Sequence, residues 1–140
     1  MKARTDAELR SIWLPLIAPD PGYFSMSESE TLKQYYEVRL RPDEPGNDRN
    51  GVYHPADEAG YHDPEHHTIW INVSCIHEVR SLLLHEALHA VVSPEHDLKF
   101  CQRMLQLIEH AQTLEDQDLV QELCEDLGRY PVWSKNSKPS

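Results

Sequence analysis

At 140 residues the chain is long enough to bury one hydrophobic core without disulfide or metal staples, and 39% hydrophobic with 26% charged residues is the balance of a soluble globular protein. A formal net charge of −11 argues against broad electrostatic affinity for nucleic acid, though it does not exclude a local patch, because neutralising phosphates takes a basic surface. No apolar run approaches the roughly 20 residues that span a bilayer, and three cysteines, Cys75, Cys101 and Cys124, with no CxxC spacing suit reduced thiols in a cytoplasmic protein.

The N-terminus is interrupted by Asp6, Glu8, Arg10 and Pro15 and so does not read as a signal peptide. Thr5 with Glu8 fits a capping box ahead of a helix in which Leu9, Ile12, Trp13 and Leu16 recur at helical spacing. "APDPGYFSMSES" reads as loop, with "SESETLKQ" able to add a helical turn. Lys33 to Pro42 alternates Tyr36, Val38 and Leu40, the pattern of a half-buried strand. "PDEPGNDRN" is a turn cluster, "GVYHP" a short strand, and "ADEAGYHDPEHH" a polar, mobile loop. The clearest strand is His67 to Ser74, with Ile69, Ile71 and Val73 on one face and Trp70 and Asn72 on the other.

Ser74 can cap a helix from about Cys75 to Val92, which Pro94 stops. A second helix, about Leu98 to Gln112, carries Leu98, Cys101, Leu105, Ile108 and Gln112, with Met104 beside them, as its apolar stripe. A third starts at Thr113, with Thr113 and Asp116 placed as a cap, and ends at Gly128. Residues 1–133 read as a single domain, and the basic tail 134–140, which has no apolar content, as disordered. A helix, then strands, then helices in blocks imply an α+β domain. Its sheet should be small and mainly antiparallel, with an N-terminal helix, one helix bearing the chemistry and two C-terminal covering helices.

The chemistry concentrates in "SLLLHEALHAVVSPEHDLKF", Ser81 to Phe100. Side chains four apart on a helix project from one face, so His85 and His89 can aim two imidazole nitrogens at a point about 2.0–2.1 Å from each, as tetrahedral zinc requires. Glu86, about 100° round the helix, need not coordinate; it can act as general base for a metal-activated water. A chance HExxH arises in roughly one in twenty such sequences, so the setting decides. Here the motif sits mid-helix in an apolar run, directly after a strand, with His96 just beyond the break. Catalytic zinc takes three protein ligands. His96 is preferred as the third, because "AVVSPE" lets the chain turn back, and Glu109 is its rival. Asp97 is better placed beside the ligands, or as N-cap of the next helix.

With "TIWIN", "LLLHEALHA", "HDLKF" and "MLQLI" in this order, residues 67 to 108 resemble the zincin metallopeptidases, and among them the small SprT-like and WLM-type families. That resemblance implies a zincin-like fold, zinc on His85, His89 and His96, Glu86 as catalytic base, and a protein or peptide substrate. No glycine lies between His89 and His96, where several of those families turn on one. Glu109 stands at a separation resembling the downstream glutamate ligand of thermolysin-type enzymes. Two other classes stay open. One is a YbeY-like metal-dependent endoribonuclease, whose histidine array is spaced H-x3-H-x5-H where this chain has H-x3-H-x6-H. The other is a non-catalytic, zinc-stabilised binding domain.

Other residues with chemical potential are weighed against plain packing. His54, His62, His66 and His67 precede the "TIWIN" strand and read as a polar surface loop rather than a second metal site, because turn signals interrupt their spacing. Tyr53 and Tyr130 could each donate to an oxyanion, and nothing in the sequence selects either. His77 reads as exposed, and His110 reaches the centre only if Glu109 does.

Overall fold

The computed structural model of the chain describes residues 5–20, 22–41, 44–55, 58–72 and 79–132. Contacts group it into two compact units that divide between Ala87 and Leu88. Among the described residues no helix is long and apolar enough to cross a membrane.

The first unit opens with α1, Asp6–Ile17, whose N-cap Thr5 accepts from the Glu8 backbone N–H. Leu9, Ile12, Trp13, Leu16 and Ile17 are buried, as the spacing predicts, and Pro15 falls in the last turn without ending the helix. Asp6 ties α1 to the sheet by accepting from the Leu40 backbone N–H at 2.8 Å and from Arg39 at 3.0 Å. The segment read as loop contains a full helix, α2, Met26–Tyr35. A reciprocal capping box starts it: Ser25 Oγ accepts from the Glu28 N–H, and Glu28 accepts from the Ser25 N–H at 3.0 Å. Lys33 to Tyr35 therefore close a helix, and β1 is confined to Glu37–Arg41.

The expectation of a mainly antiparallel sheet is corrected. β1 runs parallel to β5, Thr68–Asn72, while β4, Gly60–Asp63, runs antiparallel to β5, in the order β1-β5-β4. All five residues of β5 are buried, so "TIWIN" is a central strand covered on both faces. A strand apolar on both faces takes the middle place, which separates β1 from β4 and turns the return from β1 into a parallel crossover. The polar segment expected to be a mobile loop supplies β4, and "GVYHP" contributes β3, Tyr53–His54, paired with β2, Gly46–Asn47, in a separate two-stranded sheet. Val73, the Ser74 cap, Cys75, His77 and the tail 134–140 lie outside the described residues.

Asp48 organises the β2–β3 hairpin. Its Oδ1 accepts from the backbone N–H groups of Asn50 and Val52, and its Oδ2 meets His54 Nε2 at 2.7 Å. The other ring nitrogen of His54 contacts Glu58, and the imidazole is 1% exposed. Burial alone would raise the Asp48 carboxyl, but the bonds from His54, Val52 and Asn50 outweigh it and hold it below the ordinary aspartate value. A depressed folded-state value means that the stabilisation is present above the ordinary carboxylate range and lost as pH falls through the depressed value. Asp48→Ala should cost about 2–4 kcal/mol near neutral pH, since it leaves buried donors without an acceptor, and should flatten the acid limb of stability against pH. Urea titrations across the acid range measure both.

α3, Val79–Val91, crosses the division between the units and carries the HExxH motif. In the second unit, α4, Leu98–Thr113, packs against α5, Gln117–Leu127. Phe100, Cys101, Met104, Leu107, Ile108 and Ala111 of α4 are buried, as are Leu119, Leu123 and Leu127 of α5. Of the expected stripe Cys101, Met104 and Ile108 are buried while Leu98 and Gln112 are exposed, so the covered face is shifted toward Phe100, Leu107 and Ala111. Asp116 is the N-cap of α5, accepting from the Leu119 N–H at 3.3 Å, whereas Thr113 closes α4 by donating to the His110 carbonyl.

Candidate metal centre

His85 and His89 lie one turn apart on α3, and His96 follows on the bend before α4. Each offers a ring nitrogen, and the three nitrogens all lie within 4.8 Å of one another. Nitrogens held 2.0–2.1 Å from a tetrahedral zinc stand about 3.3 Å apart. His89 Nε2 and His96 Nε2 are 3.0 Å apart, so only small ring adjustments separate this arrangement from a common centre. Among the described residues it is the one His/Cys/Asp/Glu group with this geometry.

The donor set suits a cation because its proton positions can be worked out. His89 Nδ1 lies 3.0 Å from the Ser93 carbonyl oxygen, which can only accept, so the proton sits on Nδ1 and the Nε2 lone pair faces His96. With that proton fixed, the short contact between the two Nε2 atoms is a hydrogen bond donated by His96. Binding a cation needs both lone pairs, which places the His96 proton on its Nδ1 instead.

The bend that delivers His96 is made by side chains. Backbone N–H groups of Val92 and Ser93 both bond the Leu88 carbonyl, ending α3 just ahead of Pro94. The buried Ser93 hydroxyl donates to Asp97 at 2.7 Å and accepts from the Glu95 N–H. Asp97 in turn accepts from the Phe100 N–H as the N-cap of α4, the role its position predicts. No residue from 92 to 97 has a positive φ, which explains how the chain turns here without glycine. The Phe100 N–H and the Ser93 hydroxyl hold the Asp97 carboxyl below its ordinary value.

Aromatic rings fix the imidazoles further. His89 stacks on Phe100 at a centroid distance of 4.6 Å, and His96 stacks on Tyr130 at 4.3 Å with 19° between the planes. Phe100 also meets His96 edge-on. The Tyr130 hydroxyl donates to Asp126 at 2.7 Å, which holds the ring on which the His96 imidazole stacks. Tyr53 is 60% exposed on the β2–β3 hairpin.

Glu86 is buried, at 6% exposure, and its carboxylate lies against β4 at Gly60. The rival ligand Glu109 is exposed on α4 and is not part of the histidine group, and His110 is likewise outside it. His54, His62, His66 and His67 do not form a metal group among the described residues. His54 is clamped by Asp48 and Glu58, His66 pairs with Asp63 at 2.9 Å, and burial pushes His62, which contacts the Tyr36 hydroxyl, below the ordinary histidine value. Sequence reasoning missed Ser93, Phe100 and Gly60. The spacing S-P-E-H-D, a hydroxyl before proline with an aspartate four residues on, is the signal that could have found the first. Comparison with family models, curated proteins and solved structures returns no match to this chain.

Proposed function

We propose that the chain is a zinc-dependent metallopeptidase of zincin-like fold, with zinc on His85, His89 and His96 and Glu86 as general base. The observation that carries this reading is the convergence of three imidazole nitrogens within 4.8 Å while a buried carboxylate occupies the next position on the same helix. Bound there, zinc supplies electrophilic activation of a water and of the scissile carbonyl. Glu86 accepts the water's proton and returns it to the departing amine.

The residues present fit the metal: neutral imidazoles are its preferred nitrogen donors, and a carbonyl partner fixes one of them in the ligating tautomer. An extended protein or peptide substrate would add to β4, the outer strand of the three-stranded sheet, beside Glu86. The resemblance of residues 67 to 108 to SprT-like and WLM-type enzymes supports the assignment. A cytoplasmic setting accords with Cys101 and Cys124, both free.

The test is direct. The purified protein, analysed for metals and then loaded with zinc, is incubated with unfolded casein and separately with structured RNA. One zinc per chain with casein cleavage is the expected result. Cleavage of RNA alone, or zinc binding with no hydrolysis of either, rejects the peptidase.

A further inference from the structure

Gly60 opens β4 with its backbone in register opposite Ile71. It has no positive φ, so the backbone there would accept any L-residue, and a glycine within a strand loses order without packing anything. Local preference therefore argues against glycine at this position. Space explains it. A Cβ built on Gly60 would lie 2.9 Å from Glu86 Oε2, 3.5 Å from Glu86 Cδ and 3.4 Å from the Trp70 carbonyl oxygen.

These neighbours differ in how they can respond. The Trp70 carbonyl belongs to the central strand β5 and is held by the sheet. The Glu86 carboxylate is the far end of a side chain with rotatable bonds, so of these neighbours it is the one that shifts. We infer that Gly60 is a positioning residue: its missing side chain is the slot that holds the Glu86 carboxylate in place. The inference rests on the reading of Glu86 as general base. Any side chain at residue 60 displaces the carboxylate while leaving strand pairing and the three histidines untouched. A displacement well under 1 Å matters, because proton transfer works over a heavy-atom separation of about 2.6–3.2 Å.

The experiment is Gly60→Ala in the full chain, measured beside Glu86→Asp and the double variant. Gly60→Ala should keep the thermal midpoint and bind zinc as tightly as the parent. Its kcat on casein should fall about 10–100-fold with KM nearly unchanged. In the Glu86→Asp background the alanine should cost nothing further, since the shorter side chain withdraws the carboxylate from residue 60. A crystal structure of zinc-loaded Gly60→Ala should show the Glu86 carboxylate moved away from β4. Unchanged kcat with the carboxylate in its original place overturns the inference, and so does loss of zinc or of the fold, which would make Gly60 a structural residue. If the parent protein itself cleaves no peptide, the peptidase reading fails, while the carboxylate position in the variant still decides the role of Gly60.

Discussion

Glu86→Gln should bind zinc as the parent does while its kcat/KM on casein falls roughly 10³-fold, near the middle of the range for losing a general base. Glutamine matches glutamate in shape, and Glu86 is 6% exposed, so the amide should remain in the same slot. What disappears is basicity: an amide cannot take a proton from water at neutral pH. Glu86 is not among the three nitrogen donors, so metal stoichiometry should not move. Elemental analysis beside steady-state kinetics separates these effects. Activity surviving the change would remove Glu86 from the chemistry.

His96→Ala should weaken zinc binding by at least about 100-fold, more than the 10–100-fold typical of losing a residue that only supports a ligand. His96 is exposed on a bend, so the substitution removes a ligand without opening a core cavity, and the loss reads on the metal rather than on the fold. Glu109→Ala should leave affinity unchanged, because Glu109 points to solvent from α4 outside the histidine group. Competition against a chromophoric chelator measures both variants. The opposite pattern would move the third ligand to Glu109 and leave His96 as a bystander.

Much of the candidate site was legible because its logic is local. His85 and His89 follow from helical spacing, the α3 stop from Pro94, and the Asp97 cap from the start of α4. What escaped depends on partners distant in the chain. β4 is four residues of half-polar sequence that become a strand only by pairing with β5, and Gly60 gains meaning only beside Glu86. The parallel pairing of β1 with β5 joins segments about thirty residues apart and leaves no periodic trace. α2 was different: its capping box, Ser25 with Glu28, was present in the sequence but lay hidden among prolines, glycines and serines that announce loops.

The stacking of His96 on Tyr130 has a practical bearing on how the chain can be handled. Tyr130 follows α5 and donates nothing to a metal, yet the exposed imidazole leans flat against it. Trimming the polypeptide back to the end of α5 would leave all three imidazoles in the chain but remove the flat face against which that ring rests. Ion capture would then have to supply the ordering that the tyrosine otherwise provides in advance.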